Sequence, residues 1–327
     1  QHRGAERQLE TSKSLLRQVL LAEGIAGDSA VTHTTALVRT IEKLASFDSS
    51  KAGNLDVERA VALELERMAL HIADTGALST DVGYQLGQVA CEALRTMTIN
   101  TTQAWCGNRF GKGLIRPMGT NKPLTSAKID MIRQNVAEIA RRYEEVRHDI
   151  KTSPTLLARF EQCGIVGRGE MLSIGGVGMA ARASNAPRDI RLSHPYGLYN
   201  KELLHTPITK RQGDVMARLM VRCREVIQSA EYIQQLLNAY AVQQTAQRPD
   251  YESCLTPDAL SFSLTEGWRG EICHIAITDN QGNIATYKVK DPSLHNWLAL
   301  ALAVRSEGIS DFPICNKSFN LSYCGHD

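Results

Sequence analysis

The 327-residue sequence lacks any C-x-x-C pair, although it contains eight cysteines. The closest two, Cys315 and Cys324, are separated by eight other residues. A zinc ribbon or a local iron–sulfur cage needs closely spaced cysteines, so the spacing argues against both. The scatter is typical of reduced thiols in a cytosolic protein and not of a disulfide framework.

Aromatic residues are also scarce, at 6%, and the net charge is only +2, from 37 basic and 35 acidic residues. A nucleic-acid-binding protein usually has a basic stripe beside aromatic side chains, so we expect no nucleic-acid partner. No stretch approaches the roughly 18 apolar residues of a membrane span. Residues 1–7 are polar, so we expect no signal peptide. The chain begins abruptly at a helix-like segment, and we expect an N-terminal portion before it.

Helical periodicity dominates the rest of the pattern. Apolar residues recur every three or four positions in 56–72, 126–150 and 213–240, which predicts three long helices. The opposite face of 126–150 is charged, so it faces either solvent or another subunit. Glycine and proline interrupt the helices in three segments, which we interpret as ordered loops. These segments are 106–124, 164–178 and 183–207.

One β-hairpin is predicted near the C-terminus. Glu271–Thr278 alternates, with Cys273, Ile275 and Ile277 on one face, and 279–283 is a turn before the return strand Ile284–Lys290. Asp291-Pro292-Ser293 then opens a final helix. The predicted fold class is mainly α with a small β-hairpin sheet, in one domain spanning 1–327.

General catalytic signatures are weak. The cluster Gly175–Gly178 lacks the strand, helix and acidic residue of a dinucleotide site, and no G-x-S-x-G or H-E-x-x-H occurs. His71 and Asp74 lie one helical turn apart, and we interpret them as a surface or cap contact. Composition and spacing alone lead no further than a helical protein.

Eight segments, in order along the chain, resemble motifs of the large subunits of nickel–iron hydrogenases and of their homologue in complex I. They are His2–Glu6, Glu64–His71, Asp81–Tyr84, Arg109–Gly119, Gly178–Asn185, Asp189–Tyr196, Glu266–Glu271 and Asp291–Trp297. Asn185 replaces a glycine of the family pattern. The resemblance implies a hydrogenase large-subunit-like fold with long core helices.

The metal ligands of that family are absent. Active members bind nickel and iron through two C-x-x-C pairs, because such a metal requires soft thiolates. On the resemblance, these four positions fall on Ala26, Ser29, Ser322 and Gly325, and Cys324 is displaced by one. One thiolate cannot hold the metal pair, so we expect no nickel–iron site. A hydrogenase with unusual ligands is an alternative that the ligand count argues against.

The complex I homologue lost the same ligands, and its emptied cavity became part of the quinone-reaction chamber. By resemblance, this chain packs over the terminal iron–sulfur cluster of a small subunit and binds no cofactor itself. Quinone is a further candidate cofactor. An accessory hydrophilic subunit and integral membrane subunits are the other implied partners. The implied location is cytoplasmic, peripheral on the inner face of the membrane.

The resemblance also implies site residues, each with a structural alternative. Proton transfer falls to Glu6 and His33, which could instead be a first-turn helix carboxylate and a core histidine. Four residues would line the emptied cavity: Arg3, Asp28, Ser29 and Ser322. Asp-Ser is equally a helix-capping signal. Arg109 and Arg116 would lie near the partner's cluster, or form surface salt bridges.

Two departures from complex I leave quinone as the acceptor in question. Leu78 replaces a histidine beside the terminal cluster, and the quinone-binding tyrosine falls near Gly27. Two functions therefore compete. A redox-chamber subunit should keep a cavity lined by Glu6, Asp28, Ser29, His33 and Ser322. A structural paralogue that couples electron transfer to membrane subunits would fill that space with apolar side chains.

Overall fold

The computed structural model describes residues 4–48, 52–199, 203–242 and 246–324. These residues form a helix-rich structure with one small sheet. The helices are Ala5–Thr11 (α1), Leu15–Ala22 (α2), Ala30–Leu44 (α3), Gly53–Asp81 (α4), Gln85–Cys106 (α5), Ser126–Thr152 (α6), Pro154–Phe160 (α7), Arg168–Ser173 (α8), Gly178–Ala183 (α9), Ile190–Ser193 (α10), Val215–Ala239 (α11), Pro292–Ala303 (α12) and Phe312–Phe319 (α13). The strands are Leu260–Glu266 (β1), Glu271–Thr278 (β2) and Ile284–Lys290 (β3).

Four long helices, α4, α5, α6 and α11, build the core. Helix α4 packs against α5 and α11, and α6 packs against the same two helices. The predicted apolar stripe of α6 is buried from Ile129 to Val146. Thr125 and Asp214 cap α6 and α11 with their side chains, as expected for residues that compete with helix interiors and favour N-caps. The predictions of helices in 126–150 and 213–240 are confirmed.

Helix α4 extends well beyond the predicted 56–72, from Gly53 to Asp81. Its last two turns bury polar side chains, among them Asp74, Thr75 and Ser79. Apolar periodicity therefore ends before the helix does. The glycine- and proline-rich segments are loops except where they form the short helices α8, α9 and α10.

The sheet is antiparallel in the order β1-β2-β3. The hairpin of β2 and β3 is confirmed, but β1 was not predicted. Its inward side chains are the small polar residues Ser261, Ser263 and Thr265, so β1 lacks an inward apolar stripe. In β2, Ile272, His274, Ala276 and Thr278 are buried, and the more apolar set around Ile275 faces outward.

The sheet lies against α3 and α1. Helix α3 packs on β1 and β2, and α1 packs on β3. Asp291 caps α12 through the Ser293 N–H, as the sequence predicts. In the part of the chain that the structure describes, no helix carries an apolar stretch long enough to span a bilayer. The assignment of 1–327 to one domain stays a prediction.

Candidate functional site

The predicted ligand positions lie in two segments that the fold brings together. Ala26 and Ser29 immediately precede α3, and Ser322 follows α13. We call residues 24–33 and 318–324 the two ligand segments. Gly325, the fourth ligand position, and Arg3, a predicted cavity residue, lie outside the described residues.

An arginine side chain joins the two ligand segments. Arg269 lies in the turn between β1 and β2, and its Nη1 and Nη2 donate to the two carboxylate oxygens of Asp28 at 3.0 and 2.6 Å. Its Nε donates to the backbone oxygen of Asn320. The guanidinium also lies 3.9 Å from the ring centroid of Trp268. A bidentate arginine–carboxylate pair is geometrically specific, so this contact holds both segments in register.

Ser29 is the N-cap residue of α3, yet its hydroxyl does not cap the helix. The hydroxyl oxygen accepts from Trp268 Nε1 at 3.1 Å and contacts Asp28. The N–H groups of Val31 and Thr32 are instead bound by the carboxylate of Glu66, from α4. A carboxylate at a helix N-terminus satisfies donors that the helix itself leaves free. Ser29 therefore occupies the cap position, as the helix-cap alternative states. The capping bonds, however, are made by the Glu66 carboxylate and not by the Ser29 hydroxyl.

Glu66 borders a small cavity beside Asp28. The cavity measures about 20 Å³, room for about one water molecule, and Asp28, Glu66 and Arg109 contribute to its wall. Burial raises the pKa of Glu66 to about 7; hydrogen bonds from Thr32 and Val31 oppose the shift and the Asp28 charge adds to it. A carboxyl that titrates near neutrality can both take up and release a proton.

The pH dependence of stability should reveal Glu66. Its pKa is 4.5 when unperturbed and about 7 in the folded chain. The unfolded chain therefore loses this proton first, and the free energy of unfolding falls as pH rises through that window. Glu66→Gln removes this contribution. Between pH 4.5 and 7 the wild type should lose up to about 3 kcal/mol more than the variant in urea unfolding.

Glu145→Gln is the matched control, because Glu145 is exposed on α6 and 68% of its side chain is accessible. Its profile should parallel that of the wild type. Parallel profiles for the wild type and Glu66→Gln would contradict a raised Glu66 pKa.

His33 is buried among side chains, and its Nδ1 is hydrogen-bonded, whereas its Nε2 has no hydrogen-bond partner among the described residues. Its Nδ1 lies 3.1 Å from His274 Nε2, and its Nε2 lies 3.4 Å from an Asp291 oxygen. His274 Nδ1 in turn lies 2.7 Å from the Tyr287 hydroxyl. Burial alone would raise the pKa of Asp291, but His33 and Ser293 hold it below its usual value. His33, His274 and Tyr287 therefore form a buried hydrogen-bonded chain, and Asp291 lies beside its His33 end.

The other predicted site residues are dispersed. Glu6 accepts from the Val289 N–H of β3 at 2.9 Å and pairs with Lys288. Arg116 is buried and pairs with Glu23 at 2.7 Å, so the surface salt bridge suggested as its alternative is wrong. Arg109 is exposed at the small cavity. Ser322 binds the Ser293 hydroxyl through its backbone N–H. The cavity wall includes Asp28 but not Glu6, Ser29, His33 or Ser322.

No group of three or more His, Cys, Asp or Glu side chains in the described ranges could hold a metal ion. Ser29 and Ala26 offer no thiolate, and the Asp28 carboxylate is already paired with Arg269. The side chains between the ligand segments therefore do not fit a nickel–iron pair, which requires soft anionic donors.

A larger polar assembly lies deeper in the protein, and we call it the buried charge cluster. At its centre Arg182 contacts three carboxylates: Glu225 at 2.8 Å, Glu266 at 2.8 Å and Asp189 at 3.2 Å. The complete cluster is Glu64, Arg67, His71, Arg182, Asp189, Arg191, His205, Glu225 and Glu266. Every member is at most 5% exposed. Buried charges persist only when they are paired this closely.

The cluster contains one carboxyl more than its arginines can balance. Three arginines face four carboxyl groups, and burial lowers the pKa of both histidines. Burial and the Asp189 charge raise the pKa of Glu266 to about 7, although Arg182 and Arg191 oppose the shift. Burial alone would also raise the pKa of Glu225, but Arg182 and His71 hold it far below its usual value. Glu266 is therefore the carboxyl of this cluster whose charge is the least stabilised.

Sequence reasoning missed this cluster. His71 lies 2.8 Å from Glu225, and Asp74 pairs with Arg222 at 2.8 Å, so their interpretation as a surface or cap contact is wrong. The available signal was the set of family motifs. Four of them supply seven of the nine cluster residues: Glu64, Arg67 and His71; Arg182; Asp189 and Arg191; and Glu266. His205 and Glu225 lie outside the motifs.

The helix-rich fold and the ordered motifs point to the class that unites the large subunits of complex I and of membrane-bound hydrogenases. The family model of the respiratory-chain NADH dehydrogenase 49 kDa subunit matches residues 81–327. The chain belongs to this family.

Curated relatives come from both branches of that class. Formate hydrogenlyase subunit 5 of Escherichia coli is 24% identical over 325 residues, 98% of this chain and 56% of the relative. A subunit of the NADH-quinone oxidoreductase of Dehalococcoides mccartyi is 25% identical over 328 residues, 98% of this chain and 86% of the relative. Membrane-bound hydrogenase subunit alpha of Pyrococcus furiosus is 23% identical, over 94% of this chain and 74% of the relative. The chain spans 56% and 54% of formate hydrogenlyase subunit 5 and hydrogenase-4 component G.

Proposed function

We propose that this chain is the large subunit of a membrane-associated oxidoreductase complex, related to NADH:quinone oxidoreductase and to membrane-bound hydrogenases, with a hydrogenase large-subunit-like fold and no nickel–iron site of its own. The observation that carries the proposal is the Arg269 bridge. The two ligand segments are held together by Asp28, Arg269 and Asn320, where hydrogenases use metal-bound thiolates. A bound metal is therefore not needed to keep the segments in place.

In this function the redox chemistry belongs to cofactors of other subunits, and this chain supplies positioning and charge. It stands over the terminal iron–sulfur cluster of a small partner subunit. Asp28 lies in the first ligand segment, and Glu66 and Arg269 contact that segment. These three groups balance charge when an electron arrives. Glu66 is the proton carrier of this set, since its pKa lies near 7. Arg109, exposed beside the same cavity, is the cation that faces the partner.

We propose a quinone acceptor only at an interface between this chain and a partner subunit. The cavity beside Asp28 measures about 20 Å³, whereas a pocket for an organic ligand usually has about 300 Å³ or more. Gly27 has no hydroxyl for a quinone oxygen. A quinone ring would therefore lie between this chain and its partner.

The partners we propose are the iron–sulfur subunit, an accessory hydrophilic subunit and integral membrane subunits, on the cytoplasmic side of the membrane. An exposed apolar face of the sheet supports a protein partner. It presents Leu260, Phe262 and Ile277, which are 63%, 50% and 39% exposed. Such a contiguous face is typical of a surface that another subunit covers.

The first experiment is elemental analysis of nickel and iron in the purified complex, with and without this chain. We expect no nickel in either sample and iron that stays with the small subunit. Nickel that leaves together with the chain would overturn the proposal, because it would require ligands other than the two ligand segments.

The second candidate is a structural paralogue without a role in charge transfer. The packing of Trp268 and Arg269 into the space between the segments favours it, because little open volume is left. The filling includes the charged pair of Arg269 and Asp28 as well as the Trp268 ring, and this charge favours the first candidate. Quinone reductase turnover of the assembled complex with Glu66→Gln separates the two. A fall with normal assembly supports charge transfer, and unchanged turnover supports the structural role.

A further inference from the structure

A second cavity lies on the other side of α3 and α4. It measures about 540 Å³ and shares no lining residue with the small cavity beside Asp28. Its size is within the range of about 300–1,000 Å³ that is usual for small-molecule sites. The wall is formed by α3, α4 and the segment 195–199. None of the predicted site residues lies in it.

Three cations line this cavity. Arg39 and Lys43 are four residues apart on α3, so they project from the same face of the helix. Arg59 faces them from α4 and is only 6% exposed. Glu42 and Asp56 also line the wall, so the described lining residues carry one positive charge in excess.

These cations have more N–H groups than the hydrogen bonds that they make to the described residues. Arg39 donates through Nη1 to Leu264 O and to the Thr265 hydroxyl, and Lys43 donates to Phe262 O, so both bind neutral acceptors there. Arg59 binds Glu42 and Arg116 O through its terminal nitrogens, and its buried Nε has no partner. Because this Nε is closed to solvent, an anion in the cavity would bind the terminal nitrogens of the arginines instead.

The remaining wall is largely apolar. Ala60 and Leu63 on α4 and Leu198 on the loop contribute hydrocarbon surface beside the cations. A bare inorganic anion would leave this surface uncovered. An organic anion would cover it and also meet the arginines.

We propose that this cavity binds an amphipathic organic anion, with its carboxylate or phosphate group at Arg39 and Arg59 and its apolar part against Leu63 and Leu198. The site does not depend on the proposed function in electron transfer, since its residues and its ligand are separate from the ligand segments. Burial lowers the pKa of Arg39 and of Lys43, and an anion would offset that cost.

Isothermal titration calorimetry of the purified full chain tests the site with phenyl phosphate, octanoate and inorganic phosphate. We expect saturable binding of at least one organic anion, about tenfold tighter than inorganic phosphate. Tighter binding of phenyl phosphate would identify the head group as a phosphate, and tighter binding of octanoate would identify it as a carboxylate. Arg39→Gln should weaken binding at least about tenfold, the loss typical of one charged hydrogen bond. Lys112→Gln, which removes an exposed cation outside the cavity, should leave binding unchanged.

Ala60→Leu is the second variant, in case Arg39→Gln perturbs the packing of α3 on β1. It fills part of the cavity, changes no charge and keeps a good helix former. It should weaken the binding of the organic anions and leave the binding of inorganic phosphate unchanged. The proposal is overturned if no organic anion binds, or if Arg39→Gln and Ala60→Leu both bind like Lys112→Gln.

Discussion

Arg182→Met is expected to lower the free energy of unfolding by about 3–5 kcal/mol, the largest effect of any single substitution proposed for this chain. Methionine keeps the approximate length of the side chain but removes its charge. Glu225, Asp189 and Glu266 would then face one another in the interior without the cation that contacts all three. Uncompensated buried carboxylates must either unfold the surrounding structure or bind protons. Urea unfolding at pH 7 measures the loss.

Arg141→Met is the control for Arg182→Met. Arg141 also pairs with two glutamates, but its side chain is 59% exposed on α6. Its removal should change the free energy of unfolding by no more than about 0.5 kcal/mol. If Arg182→Met does not fold, Arg182→Met/Glu266→Gln should restore part of the stability, because one of the three carboxyl groups is then neutral. Equal losses in Arg182→Met and Arg141→Met would refute the structural importance of the buried charge cluster.

Arg269→Met should lower the free energy of unfolding by about 2–3 kcal/mol, since it removes charged hydrogen bonds to Asp28 and to the Asn320 carbonyl. The loss is smaller than for Arg182 because the side chain of Asp28 is 35% exposed and water screens it. In the assembled complex, turnover should fall roughly tenfold, since the ligand segments lose their register. Arg269→Lys should be intermediate, because an ammonium cannot bind Asp28 and Asn320 in the same planar geometry.

Arg168→Met serves as the control for Arg269→Met. Arg168 is exposed and donates to a single backbone carbonyl, that of Asn185. We expect a loss of about 1 kcal/mol or less. If Arg269→Met costs no more than this and the complex keeps full turnover, the bridge does not organise the site.

The two largest effects involve residues that sequence reasoning did not assign to the site. Arg182 and Arg269 both lie in motifs that identified the family, but their partners are far away in the chain. A charged residue gives the same local pattern whether its side chain is solvated or buried. The partners of Arg182 come from α11, β1 and the loop before α10, and only packing brings those elements together.

The roles assigned to the predicted site residues stay predictions, and the structure shows only where these residues lie. Asp28 lies at the small cavity, and His33 contacts His274 in the interior. Glu66, the carboxyl beside the small cavity whose pKa is about 7, was missed because its contacts depend on α4 lying against the start of α3. The distant Glu6 binds the edge of the sheet instead.

The sequence by itself determined the long helices α6 and α11, the β2–β3 hairpin, the absence of the four thiolates and the family. These properties depend on local periodicity or on residue identity, which can be read without knowing what packs nearby. Tertiary structure alone decided which face of β2 is buried, how Arg269 joins the ligand segments, and where the cavity with three cations forms. The physical reason is that the free energy of a charge or a polar strand face depends on its burial and its partners, and both arise only when distant segments pack together.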